Sequence, residues 1–125
     1  MATPPRQHDL ALLVDYFEVR VRAVIAGMQA RGFDPVSFET LRSQARQRWL
    51  YGIGRTHDLQ QKPATWTMHS KHLVGKACDI ISASRKWDWP EFYAALKEEA
   101  LAQGLKDCRG GLDFSWEQCH VEWDG

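Results

Sequence analysis

The stretch SKHLVGKACD, residues Ser70 to Asp79, sets His72 and Asp79 seven residues apart with Gly75 between them. A continuous helix would stack the two side chains two turns apart, but a mid-helix glycine costs about 1 kcal/mol relative to alanine. The residues that follow, ACDIIS, read as a short β-run in which Ala77 and Asp79 share a face. The spacing therefore predicts a turn at Gly75 with extended chain on both sides. His72 and Asp79 then converge from neighbouring segments, and a third polar group for that point must come from elsewhere in the chain.

The flanking patterns supply a frame. Leu10, Leu13, Phe17, Val21, Val24 and Met28 recur at helical spacing and predict one amphipathic helix that Gly32 ends. PVSFETL alternates Val36, Phe38 and Thr40 against Ser37, Glu39 and Leu41, which predicts a strand. RSQARQRWLYGIGRT predicts a short helix ending at Gly52 or Gly54, and THDLQQKPA a polar loop, with TWT (65–67) as a short strand. DWPEFYAALKEEALAQGL predicts a helix with Asp88 as N-cap and Glu91 three residues later. Its buried face is Trp89, Phe92, Tyr93, Leu96 and Ala100, and Gly104 stops it. CRGGLDFSWEQCHVEW predicts a glycine turn and a last strand from His120 to Trp123.

Helices and strands do not alternate regularly, so an α+β fold is expected. The expected form is one small domain over residues 1–125, with N-terminal helices packed on a short, mainly antiparallel sheet. At 125 residues and 44% hydrophobic content the chain can bury one core.

Sixteen basic residues balance sixteen acidic ones, so charge gives no case for nucleic acid or an anionic membrane as the main partner. The apolar N-terminal stretch is interrupted by Asp15, Glu18, Arg20 and Arg22, unlike a signal peptide, and no run is long enough to span a bilayer. Synthesis in the cytoplasm is expected. Three cysteines without an export signal (Cys78, Cys108, Cys119) are expected to be reduced thiols.

Five histidines are available. His8, near a terminus, and His57, in a polar loop, are expected to be solvated; His69 is a surface or supporting imidazole. His120 lies in WEQCHVEW with Glu117 three residues ahead. Taken with His72 and Asp79, His120 completes two imidazoles and one carboxylate, a set that leaves zinc an open fourth position for water. Glu117 would stand beside that water as a proton acceptor. Spacing alone is weak evidence for a metal, because a His or Asp taken singly is most often a hydrogen-bonded structural residue.

The pattern Ser70-x-His72-x-x-Gly75-x-Ala77-x-Asp79, with FETLRSQARQRWLYGIGRT before it and Glu117-x-x-His120 after it, resembles the zinc D-Ala-D-Ala carboxypeptidase and L-alanyl-D-glutamate endopeptidase family, peptidase family M15. The likeness covers residues 36–124 and is greatest to the short phage endolysin branch. It implies that His72, Asp79 and His120 are zinc ligands and that Glu117 is the catalytic base. Arg42 matches an arginine that binds substrate and stabilises the developing oxyanion, a role suited to a fixed guanidinium. Ser70 is implied to support substrate or the ligand shell, and Gln47 to line the cleft. Cys119 stands where the family often has proline, Val121 where it has an aromatic, and Leu112 where tryptophan is common, so the cleft is expected to differ in shape.

The implied activity is zinc-dependent hydrolysis of the peptidoglycan stem peptide at the L-Ala–D-Glu bond, with D-Ala–D-Ala cleavage as the nearest alternative. The resemblance implies a monomer that acts on the cell wall after release through a holin-type pore, without membrane insertion or nucleic acid. Two other classes compete. A non-catalytic, zinc-containing wall-binding module would have no use for Glu117. A cysteine hydrolase built on Cys78 or Cys119 with His120 lacks a helix start and a base partner.

Overall fold

A computed structural model describes residues 3–61, 70–106 and 118–124. Its elements are α1 (Asp15–Ala30), β1 (Pro35–Glu39), α2 (Gln44–Gly52), β2 (Ala77–Ser82), α3 (Pro90–Ala102) and β3 (His120–Glu122), with short 3-10 turns at Leu10–Leu12 and Lys71–Val74. The three strands form one antiparallel sheet in the order β1-β2-β3. The architecture is α+β.

Phe17, Val21, Val24 and Met28 of α1 are fully buried, as the stripe required, and they meet Phe92, Leu96 and Ala100 of α3 and Cys78, Ile80 and Val121 of the sheet in one core. Each such side chain contributes about 1.5–3 kcal/mol on burial. α1, from the N-terminal part of the chain, packs on the sheet as expected, and α3 joins the same core.

The N-terminal stripe does not run as one helix. Leu13 and Val14 are extended, and α1 begins only at Asp15. The interruption has a tertiary cause: the Val14 amide donates to the Gly75 carbonyl at 3.1 Å, which turns the chain against the His72 segment. Leu13 still reaches the core. Asp88 is likewise not the cap of α3. Trp89 takes that position without a side-chain hydrogen bond, and Pro90 opens the helix, where its missing N–H costs nothing. Trp89 instead packs its ring on Phe33 and Phe92.

β1 departs from simple alternation. Its register against β2 shifts between Ser37 and Glu39, a bulge that sets Glu39 opposite Asp79. Val36 is consequently 40% exposed while Glu39 is 2% exposed. The expected strand at 65–67 and the glycine turn at 110–111 lie outside the described residues.

β2 is the central strand and is buried along its whole length. Cys78 and Ile80 lie in the hydrophobic core, whereas Asp79 alternates to the face that carries polar groups. His72 precedes it on a 3-10 turn rather than on extended chain, and Gly75 closes that turn in the left-handed conformation at φ 71°. A Cβ at Gly75 would also stand 3.1 Å from the Leu12 carbonyl oxygen and 3.3 Å from the Val14 amide nitrogen. Gly75→Ala is therefore expected to destabilise the fold by at least about 1 kcal/mol, from the left-handed strain and the crowded backbone together. A lowered denaturant midpoint with an unchanged m-value is the expected readout.

Candidate metal centre

Asp79 and His120 are direct partners across the β2–β3 ladder. Strand pairing alone thus sets them side by side on one face, and His120 Nδ1 lies 3.1 Å from Asp79 Oδ1. His72 arrives from the 3-10 turn with Nε2 3.4 Å from the same carboxylate oxygen. The three side chains offer ligand atoms that all fall within 4.8 Å of one another, and all three are buried. Among the described residues this is the group with the donor set of a metal centre.

The orientation of His72 is fixed by the backbone. Its Nδ1–H donates to the Thr40 carbonyl at 2.7 Å, and the Arg42 amide donates to the His72 carbonyl at 2.9 Å. With the proton held at Nδ1, the lone pair is at Nε2, and Nε2 is buried without a hydrogen-bond partner. An unsatisfied buried nitrogen costs about 1–3 kcal/mol, and one aimed at two further donor groups fits a cation. Two imidazoles and a carboxylate match the three-ligand set that zinc takes where a position is kept for water.

Ser70 caps the turn that carries His72: its Oγ accepts from the His72 amide at 3.2 Å. Arg42 and Gln47 are brought to the same place. Arg42 is not a surface ion pair. It is 9% exposed, donates to Gln47 Oε1 and to Glu39 Oε1 at 2.7 Å each, and stands 3.8 Å from Asp79 Oδ2. Glu117 lies outside the described residues, as do His69 and Cys108. His8 is exposed, as expected. His57 is not merely solvated: its ring bonds the Trp49 carbonyl and the Asp58 carboxylate, at 2.7 and 2.8 Å.

Glu39, Arg46 and Glu122 carry parts of the site that the motif did not reveal. Glu39 is held between Arg42 and Arg46, whose Nε donates to Glu39 Oε2. Burial works against the Glu39 charge, and the two guanidiniums overcome it, leaving its carboxyl below the usual range. Asp79 follows the same logic. Burial opposes its ionisation, but the two imidazoles beside it, His72 and then His120, outweigh that and hold the carboxyl far below the ordinary range. The one sequence signal for Glu39 was an acidic residue spaced three and seven before two arginines. Glu122 sits two residues after His120, on the same strand face.

Cys78 and Cys119 are buried, and burial, then the Asp79 charge, pushes the Cys78 thiol well above its ordinary value, away from a nucleophilic thiolate.

Two imidazoles and a carboxylate that converge at one point form a group that could hold a single metal ion. No protein-family model matches the chain, and no curated protein matches it. Solved structures do. The L-Ala D-Glu endopeptidase ChiX of Serratia marcescens is 22% identical, with 90% of this chain and 81% of that one covered and a TM-score of 0.55. The vancomycin-resistance D,D-pentapeptidase VanY of a VanB-type cassette, solved with Zn(II), is 16% identical over 90% of this chain and 73% of that one, with a TM-score of 0.67. VanYB in complex with D-alanine-D-alanine is 18% identical over 90% and 72%, with a TM-score of 0.68. At these identities the likeness is one of fold, and it extends over most of each chain.

The buried cluster predicts a pH effect. A carboxylate whose folded pKa is depressed adds stability above its unfolded pKa and loses it as pH falls, so the Glu39 contribution should fade below about pH 4. Glu39→Gln leaves two buried guanidiniums without their counter-charge and is expected to cost about 3 kcal/mol at neutral pH. It should also flatten the acid limb of stability against pH, measured by urea unfolding between neutral and acid conditions.

Proposed function

We propose that this chain is a zinc-dependent peptidase acting on the peptidoglycan stem peptide. The observation that carries the reading is the convergence of His72, Asp79 and His120, with His72 Nε2 buried and unpartnered, on a fold shared with an L-Ala D-Glu endopeptidase and D,D-peptidases. Zinc bound by these three side chains would supply a Lewis acid that polarises a carbonyl and acidifies water.

The other roles belong to the chain's own groups. Glu117 is assigned as the base that takes a proton from the attacking water and returns it to the departing amine, on the support of the Glu117-x-x-His120 motif. Arg42 is assigned to the substrate as donor to the oxygen that gains charge. Its support is a rigid seat: Glu39 and Gln47 fix the guanidinium, and its Nε is buried without a partner. Gln47 acts by holding Arg42, and Ser70 by capping the turn of His72.

The favoured scissile bond is L-Ala–D-Glu, on the endolysin-like motifs. D-Ala–D-Ala is the second reading, favoured by the higher TM-scores to the VanY structures. An endolysin-like role, with residues 1–125 acting as one catalytic unit on the wall after release from the cytoplasm, completes the proposal. Among the described residues no helix is long and apolar enough to cross a membrane.

Mass spectrometry of muropeptides after digestion of purified peptidoglycan separates the readings. New N-terminal D-Glu is expected for the endopeptidase and free D-Ala for the carboxypeptidase; intact muropeptides at full zinc loading would overturn the proposal. His120→Ala is expected to lose zinc and turnover together. Glu117→Gln should keep zinc and lose about 100- to 10,000-fold in turnover, which metal content measured beside rate will show. A Cys78→Ser/Cys119→Ser variant that still folds is expected to retain both.

A further inference from the structure

Glu122 is a buried carboxylate, 6% exposed, that no step of the proposed reaction uses. It is aimed at a ligand. Its Oε1 lies 2.9 Å from His120 Nε2, while the opposite ring nitrogen, Nδ1, lies 3.1 Å from Asp79 Oδ1. Its Oε2 lies 3.6 Å from Lys71 Nζ, on the turn that carries His72. We infer that Glu122 is a positioning residue for the metal centre: it accepts the Nε2–H of His120, so that the neutral ring presents its lone pair at Nδ1, on the side of Asp79 and His72.

The fold fixes Glu122 for such a role. β3 places His120 and Glu122 on one face, and the partner of Glu122 on β2 is Ala77, too small to compete for the space. The Glu122 backbone is pinned on its outer side as well, by paired hydrogen bonds with Lys106 at 2.9 and 3.0 Å. Lys71 adds a second tie. Its ammonium donates to the Trp123 carbonyl at 3.0 Å and to the Asp124 carboxylate at 2.5 Å, and Asp124 also pairs with Lys106. The turn bearing His72 and the strand bearing His120 are thus linked through the carboxylate that orients the His120 ring. Without an acceptor at Nε2 the imidazole can take either tautomer or rotate, and a ligand that must be ordered on binding holds its metal less tightly.

The inference rests on the metal reading above, and its test keeps the two apart. Metal-stripped wild type, Glu122→Gln and Glu122→Ala are titrated with zinc in competition with a chromogenic chelator. Imidazole ring ¹⁵N spectra of the metal-stripped proteins report the His120 tautomer. The expected result is a zinc affinity about 10- to 100-fold weaker in Glu122→Ala, a smaller loss in Glu122→Gln, and loss of the single Nε2–H signature. Should Glu122→Ala fail to fold, the nearly isosteric Glu122→Gln alone decides, with near-UV circular dichroism confirming its fold. Wild-type affinity and an unchanged tautomer in a folded variant would overturn the role of Glu122 while leaving the metal centre standing. Absence of zinc binding by wild type would overturn both.

Discussion

Asp79 is a carboxylate on the central strand of a three-stranded sheet, removed from water on a strand buried from end to end. A charge in that position is costly unless paired and hydrogen-bonded. The surrounding structure supplies the compensation: His120 directly opposite on β3, His72 across the Gly75 turn, and Arg42 at 3.8 Å. Each of these groups brings a requirement of its own. His72 must donate its Nδ1–H to the Thr40 carbonyl, Arg42 must be neutralised by Glu39, and His120 must satisfy Nε2 through Glu122. The polar face of the sheet can be understood as the consequence of burying that one carboxylate.

The other side of the sheet does the opposite work. Cys78, Ile80 and Val121 are closed over by α1 and α3 in an apolar core without charged members. Strand alternation lets a single residue step separate the two environments, with Cys78 and Ile80 inside and Asp79 between them on the polar face. A register slip of one residue would exchange a thiol for the carboxylate. The register is secured by pairing on both edges, with Glu39 opposite Asp79 on one side and His120 on the other. Rigidity of this kind suits a site whose ligands must be in place before a cation arrives.

Much of this was legible in local pattern, because local pattern depends on short-range physics. The α1 stripe, the strand beginning at Ala77, the turn at Gly75 and the stop at Gly104 follow from periodicity and from the conformations that glycine allows. The grouping of His72, Asp79 and His120 was suggested by the order of the motif. Where local signals failed, a distant partner had intervened. The N-terminal stripe breaks at Val14 because its amide bonds Gly75, and Trp89 displaces Asp88 from the cap because its ring belongs against Phe33 and Phe92.

The sequence by itself determined the α+β class, the position of the strand that carries Asp79, and the residue types able to hold a metal. Hydrophobic period and turn chemistry act within a few residues and can be read without knowing what lies across the sheet. Only the tertiary structure decided which atoms face one another. The bulge in β1 that buries Glu39, the pair of arginines that neutralise it, the unpartnered Nε2 of His72 and the Glu122 contact with His120 all join segments distant in the chain or depend on strand register. The physical reason is that a buried charge is stabilised by whatever stands within a few ångströms, and folding rather than sequence proximity chooses those neighbours.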